Sequence, residues 1–77
     1  MSAGDRNTIV TDNARRIFKE KGLTQHELAA ELDISQESVS RYLRNGAKWS
    51  IDMVFAWAVA LGVAVESLIH ADAASKN

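Results

Sequence analysis

Three basic side chains lie close together near the middle of this 77-residue chain. The segment from Arg41 to Lys48 contains three basic residues, Arg41, Arg44 and Lys48, and no acidic residue. Lys and Arg side chains neutralise phosphates, and this contact supplies much of the affinity of proteins for nucleic acid. The whole chain has a net charge of −1 and a pI of about 6.0. The sequence therefore predicts a locally basic edge on a weakly acidic body, which can bind DNA with a shallow salt dependence.

Other kinds of chemistry have little support in the sequence. Cysteine is absent, which excludes disulfides and thiolate metal sites. His26 and His70 are too few and too far apart for a metal site, and we expect both on the surface. No serine lies in a Gly-x-Ser-x-Gly context or another nucleophile context, and so small a domain offers little concave volume. We therefore expect no enzyme activity, cofactor, metal or small-molecule substrate.

The basic segment overlaps a stretch that predicts two short helices joined by a tight turn, residues 25–44, with the sequence QHELAAELDISQESVSRYLR. The apolar residues that recur at one-turn spacing are Leu28, Ala29 and Leu32, then Val39, Tyr42 and Leu43. Between the helices, Asp33 reverses the chain, Ile34 supplies a buried apolar side chain, and Ser35 can cap the second helix. This arrangement holds a short second helix outward on a rigid support, which suits insertion into the major groove of DNA.

Capping residues and apolar spacing predict the helix that precedes this pair. One face, formed by Val10, Ala14, Ile17 and Phe18, predicts a first helix from about Thr8 or Thr11 to Lys21. Gly22 should end it, and Leu23 should pack back onto it. Thr24 and Glu27 then form a capping box, which fixes the start of the next helix at Gln25.

Two further helices should follow the pair. Asn45-Gly46 is a strong stop signal, because both residues tolerate positive φ. Ser50 is then the expected N-cap of a fourth helix that ends at Leu61 before Gly62, with the inward stripe Val54, Trp57, Ala58 and Leu61. A last short helix is expected near residues 66–70. Residues 1–8 are predicted to form a flexible arm and residues 71–77 a fraying tail, with one domain over residues 9–70.

Composition agrees with one small all-helical domain. Apolar residues make up 47% of the chain, proline is absent, and only four glycines occur. The N-terminal residues have no apolar stretch of signal-peptide length, and no apolar run approaches the length of a membrane span. We therefore expect a cytoplasmic protein with no membrane contact.

The fourth predicted helix is apolar on the side that faces away from the core. That side contains Phe55, Ala56, Val59 and Ala60, where a helix of a water-soluble domain normally has polar residues. One interpretation is that the last helix and the arm cover it. The other is an exposed patch for self-association or a partner protein. The possible interface residues are Phe55, Val59, Met53 and Trp49.

Taken together, these features resemble the lambda-repressor-like (Cro/C1-type) family of helix-turn-helix proteins, which includes phage repressors, Cro proteins and small bacterial regulators. The motifs are GLTQHELAAELDIS at residues 22–35, Asn45-Gly46, and VALGVAVESLI at residues 59–69. The resemblance covers roughly residues 9–69. It implies a compact five-helix DNA-binding domain in which the helix that begins at Gln36 is the recognition helix.

The same resemblance implies roles for individual residues. Gln36, Glu37 and Arg41 match base-reading positions, where they can bond adenine, cytosine and guanine respectively. Gln25 matches a phosphate contact at a helix N-terminus, where anions are favoured. Other side chains are better placed for the DNA backbone, which sets register rather than sequence: Ser38, Ser40, Arg44, Asn45 and Lys48.

Three positions depart from the family pattern. Asp33 replaces the usual turn glycine, and aspartate can adopt the left-handed conformation at modest cost. Phe18 and Leu43 stand where many relatives have a paired arginine and glutamate, so an apolar contact is expected to replace an ion pair. Trp49 and Asp52 stand where relatives often have basic residues, which predicts fewer backbone contacts on that side.

Two functional hypotheses follow. The first is a sequence-specific regulator of transcription that occupies a double-stranded DNA operator, as a repressor or Cro-like protein does. A homodimer on two half-sites would suit this fold. The second is a protein-interaction module of the same fold, such as the regulatory half of a toxin–antitoxin pair or a repressor bound by an antirepressor.

Overall fold

A computed structural model describes residues 3–70 and the side chains of residues 6–70. This part of the chain forms five α-helices: α1 Ala3–Lys21, α2 Gln25–Leu32, α3 Gln36–Leu43, α4 Ile51–Leu61 and α5 Glu66–Ile69. The α1 helix packs against α3, α4 and α5, while α2 packs against α3 and α4. The predicted all-α, five-helix architecture is confirmed.

The helix ends follow the predicted capping chemistry. Thr24 and Glu27 form a reciprocal capping box, and the hydroxyls of Ser35 and Ser50 accept hydrogen bonds from the third residues of α3 and α4. Left-handed backbone occurs at Gly22, Asp33, Asn45 and Gly62. Because glycine, asparagine and aspartate tolerate positive φ, α1 to α4 can end and the chain can turn without the strain that a branched side chain would cause.

The first helix begins earlier than predicted. It starts at Ala3 rather than at Thr8 or Thr11, so residues 3–8 form the first turns of α1 where the sequence predicted an arm. Asn7 gives the physical reason: its side chain donates to the Ala47 carbonyl and accepts from the Trp49 backbone N–H, at 3.0 and 2.9 Å. These tertiary bonds hold the helical turn around Asn7, and local sequence does not reveal them. Met1, Ser2 and the predicted tail at residues 71–77 lie outside the described residues.

The core is built around Trp57, which is fully buried near the middle of α4. Its ring contacts Tyr42 and Trp49, with centroids 5.7 and 4.9 Å away, and those two rings lie 4.6 Å apart. These aromatic contacts join α3, the following loop and α4. The other buried apolar residues are Val10, Ala14, Ile17, Leu28, Ala29, Val39, Leu43, Val54, Ala58, Leu61 and Leu68.

Two buried polar residues of α1 were not predicted to lie in the core. Asn13 donates from Nδ2 to the carbonyls of Leu68 and His70, at 2.8 and 3.0 Å, and so ties α1 to α5. Thr11 accepts from the Trp49 indole N–H at 2.9 Å. Burial of the Asn13 amide nitrogen and of the Thr11 hydroxyl is tolerated because hydrogen bonds replace their contacts with water.

Candidate nucleic-acid interface

The turn between α2 and α3 fixes which side of α3 faces solvent. Asp33 adopts φ 58° and ψ 44°, and Ile34 follows it against the core. Val39 and Leu43 then anchor the inner side of α3, with 0% and 8% of their surface exposed. The opposite side of this eight-residue helix is open to solvent. This geometry is the one that residues 25–44 predicted.

The three predicted base-reading residues lie together on this open side. Gln36, Glu37 and Arg41 are all exposed, and we call these three residues the recognition face. Glu37 and Arg41 do not form the ion pair that their spacing allows. Among residues 6–70 the ion pair is instead Arg16–Glu20, at 3.4 Å. The carboxylate and the guanidinium are therefore both available to an external partner.

The predicted backbone-contact residues surround the recognition face. Arg44 and Lys48 are exposed, while Gln25, Ser38 and Ser40 are partly buried. Arg44 donates to the Ser40 hydroxyl at 2.7 Å, and Ser35 donates to the Ser38 hydroxyl at 3.0 Å. Each of these two accepting hydroxyls keeps its own hydrogen to donate. Together these residues form a rim of donors and positive charge, which is the composition that phosphate contacts require.

Asn45 occupies a different environment from the other backbone-contact candidates. Its Oδ1 accepts from Asn7 and Thr11, at 2.8 and 3.0 Å, and its Nδ2 donates to Thr8 at 3.1 Å. The backbone of Asn45 is left-handed, with φ 61°. Asn45 thus connects the end of α3 to α1, a structural role that sequence reasoning missed.

Gly46 lies close to Arg41, so a side chain at this position would make a tight contact. A Cβ atom at this position would lie 3.1 Å from Arg41 Cγ and 3.3 Å from the Arg41 carbonyl oxygen. The Gly46 N–H donates to that same carbonyl at 2.7 Å. The sequence identified Gly46 as a helix stop. The structure shows in addition that the Gly46 backbone packs directly against Arg41.

A hydrogen bond across the helix pair also involves the recognition face. The Gln36 side-chain nitrogen Nε2 lies 3.0 Å from His26 Nδ1, and both residues are exposed. The prediction placed His26 on the surface but gave it no contact. No sequence signal could identify this pair, because the residues are ten positions apart and meet only through the angle between α2 and α3.

The departures from the family pattern are accommodated by packing. Phe18 and Leu43 both pack in the apolar core rather than forming an ion pair. A different link joins the two helices, because Arg15 Nε donates to the Leu43 carbonyl at 2.9 Å. Trp49 is partly buried in the aromatic cluster, so little of its ring is available to DNA.

The second candidate surface lies on α4. Val59 is 80% and Phe55 54% exposed, whereas Met53 and Trp49 pack partly against the core. Ile51 is 75% exposed beside them, and it was not predicted as part of this surface. We call Ile51, Phe55 and Val59 the outer face of α4. Neither α5 nor α1 covers these side chains.

The outer face borders an open groove of about 830 Å³. Its lining includes Ile51, Phe55 and Val65, with Arg6 and Lys48 among its charged members. Ile69 of α5 also lines it and is 48% exposed. The groove thus extends the outer face towards α5.

Two other kinds of feature were sought in residues 3–70. No helix there combines the length and apolar character needed to cross a membrane. The same residues contain no group of three or more His, Cys, Asp or Glu side chains that could hold a metal ion.

Comparison with known proteins gives one match. A family model described as helix-turn-helix matches residues 15–68, which include α2, the turn, α3 and α4. Neither the curated proteins nor the solved structures gave a match. The matched segment covers well over half of the chain and includes the helix pair that presents the recognition face. The chain belongs to the lambda-repressor-like (Cro/C1-type) helix-turn-helix family of DNA-binding domains.

Proposed function

We propose that this protein is a sequence-specific regulator of transcription that occupies a double-stranded DNA operator. The observation that supports this most directly is the recognition face, in which Arg41 is exposed and unpaired one turn after Glu37. A guanidinium can bond guanine O6 and N7, and a carboxylate can accept from cytosine N4. Gln36 adds an amide that can bond adenine. The recognition face therefore contains three different base-reading groups on one short helix.

The residues around the recognition face suit contacts to the phosphate backbones of the two DNA strands. Gln25 begins α2, and the N-terminus of a helix attracts phosphate. Arg44 and Lys48 supply positive charge at the other end of α3, and Ser38 and Ser40 supply hydroxyl donors. Asn45 contributes less here, because its amide is already bonded to α1. A regulator of this kind would act in the cytoplasm on the bacterial or phage genome.

Enrichment of binding sites from pooled random duplexes, at low and at moderate salt, tests this proposal. We expect one preferred sequence to emerge, with base preferences that span the few base pairs that one helix can read in the major groove. The preference should persist at moderate salt, because base contacts discriminate where phosphate contacts do not. Failure to enrich any sequence under either condition would overturn the proposal.

We also propose that the outer face of α4 binds a second protein surface. The support is its exposure: Ile51, Phe55 and Val59 place apolar side chains in water, which folding of one copy does not require. A second copy of the chain is the occupant that suits operator binding best. Two copies related by a twofold axis would place recognition helices on half-sites about one helical turn apart. A different regulatory protein on this face is the alternative.

Sedimentation of the protein with and without its enriched DNA site tests the assembly. We expect the Phe55→Ser variant to be monomeric under conditions in which the wild-type protein dimerises, because a polar side chain at the centre of the patch removes buried apolar area. Glu31→Ser, an exposed change on α2, is the matched control and should leave association unchanged. A wild-type protein that stays monomeric even on its DNA site would exclude the homodimer.

A further inference from the structure

The hydrogen bond between His26 and Gln36 is a feature that the proposed function does not yet use. His26 is the second residue of α2, and Gln36 is the first residue of α3. Gln36 Nε2 and His26 Nδ1 lie 3.0 Å apart, although the two residues are ten positions apart in sequence. The side chain of Gln36 makes no other hydrogen bond in the described part of the chain. His26 is therefore its single partner there.

The atoms that face each other give this hydrogen bond its direction. Because Gln36 Nε2 faces His26 Nδ1 and an amide nitrogen only donates, His26 accepts on Nδ1, in the tautomer that has its proton on Nε2. One N–H of the amide is used in this way. The second N–H and the carbonyl oxygen Oε1 have no partner among the described residues. With Nδ1 as the acceptor, an amide turned by half a turn would place its oxygen against the Nδ1 lone pair, so the bond favours the orientation that puts the nitrogen towards His26.

The free pair of groups matches one base. Adenine presents an N7 acceptor beside an N6 donor in the major groove, and a glutamine amide bonds both when its N–H and its oxygen are aligned with them. An amide that rotated freely would present the reversed pattern for part of the time. Holding the amide in one orientation before DNA arrives lowers the cost of ordering it on binding.

The neighbouring side chains leave this arrangement undisturbed. Glu27, which follows His26, has its carboxylate bonded to the Thr24 backbone N–H at 2.9 Å. The recognition-face residue next to Gln36 is Glu37, which has no ion-pair partner among residues 6–70. The alternative is that this hydrogen bond is an ordinary surface contact that does not affect DNA recognition. That alternative predicts no effect on the choice of base.

We propose that His26 is a positioning residue that orients the Gln36 amide, and so sets a preference for adenine at the base pair that Gln36 reads. This inference rests on the proposed function, because it requires the recognition face to enter the major groove. His26 itself need not touch DNA.

The test compares base preference at single positions of the enriched site for a set of variants. Gln36→Ala first identifies the base pair that Gln36 reads. His26→Phe keeps a ring but removes the acceptor, and His26→Asn places an acceptor oxygen near the position of Nδ1. We expect His26→Phe to lower the preference for adenine at that base pair about two- to tenfold, the equivalent of one net hydrogen bond. His26→Asn should restore most of it.

A double-mutant cycle gives the second readout. In a Gln36→Ala background, His26→Phe should have no further effect on base preference, because the amide that His26 orients is absent. Thermal unfolding of every variant shows whether the fold is retained. Because His26 and Gln36 are both exposed, we expect each variant to remain folded at the assay temperature.

The outcomes separate the inference from the proposed function. If the wild-type protein enriches no sequence, the proposed function fails and the inference fails with it. If a site is enriched but His26→Phe retains the wild-type preference for adenine, or weakens binding equally to every sequence, only the inference is overturned. The same holds if Gln36→Ala changes no base preference.

Discussion

The recognition face on α3 and the outer face of α4 are both exposed, yet they present opposite chemistry. Gln36, Glu37 and Arg41 place an amide and two charges in water, as expected for the outer side of a helix that packs by its inner stripe. The outer face of α4 instead exposes Phe55 and Val59 opposite an equally apolar inner stripe. Folding explains the composition of α3 completely but explains only one side of α4. The comparison suggests that the two faces bind partners of different kinds.

Both faces depend on one buried side chain, Trp57, which belongs to α4 and contacts Tyr42 of α3. Trp57→Ala should lower the free energy of unfolding by about 3–5 kcal/mol, because it removes a large buried side chain and leaves a cavity. DNA binding and self-association should then be lost together. Denaturant unfolding followed by circular dichroism measures the effect, and Trp57→Phe should lose less. A stable Trp57→Ala protein would show that the two faces do not share this support.

Asn45 tests whether the edge of the recognition face is structural. Asn45→Ala should lower the free energy of unfolding by roughly 2–3 kcal/mol, because it removes three side-chain hydrogen bonds and places alanine in a left-handed backbone. Asn45→Gly is the control: it loses the same bonds without the backbone strain, and should be less destabilising. If Asn45 acted only as a phosphate contact, Asn45→Ala would weaken DNA binding and leave the unfolding midpoint unchanged.

Arg41 tests whether the recognition face reads bases. Arg41→Ala should weaken binding to the enriched site by about 1–3 kcal/mol and relax the preference at one base pair. Arg41→Lys keeps the charge but cannot form the paired guanidinium contact, so it should also lose that preference. Fluorescence anisotropy with single-position variants of the site measures both effects. An equal loss on every sequence for Arg41→Ala, with normal binding by Arg41→Lys, would indicate a phosphate contact instead.

The two sides of α4 can be compared with one type of substitution. Val54 is 8% and Val59 80% exposed on the same helix. Val54→Ala should lower the free energy of unfolding of the monomer by about 2 kcal/mol through lost burial and a small cavity. Val59→Ala should change it by less than about 0.5 kcal/mol. A comparable loss for both variants, measured at a concentration where the protein is monomeric, would mean that the outer face is covered within one copy.

Much of the fold was predictable because its signals are local. The capping box at Thr24 and Glu27, the cap residues Ser35 and Ser50, and the stop at Gly62 each act within one helical turn. The inner stripes of α2, α3 and α4 were predictable for the same reason, since helical periodicity alone places those residues on one face. Periodicity also places Gln36, Glu37 and Arg41 on the open side of α3, whereas their base-reading role is what the family resemblance implies.

What was missed depends on contacts between residues far apart in sequence. The start of α1 at Ala3 and the structural role of Asn45 both depend on hydrogen bonds that span more than thirty residues. Ile51 was not assigned to the outer face, although it lies one turn before Phe55. The sequence indicated an apolar outer side at Phe55 and Val59, but whether α5 or α1 covers it depends on how the helices pack.

The sequence by itself determined where each of α2, α3 and α4 begins and ends, and which residues of α3 face away from the core. These properties follow from backbone capping and from a repeat of 3.6 residues per turn, both of which are local. Only the tertiary structure decided that Asn45 bonds α1, that His26 meets Gln36, and that no element of the described chain covers the outer face of α4. Those outcomes depend on the angles and distances between packed helices, which no short segment of sequence specifies.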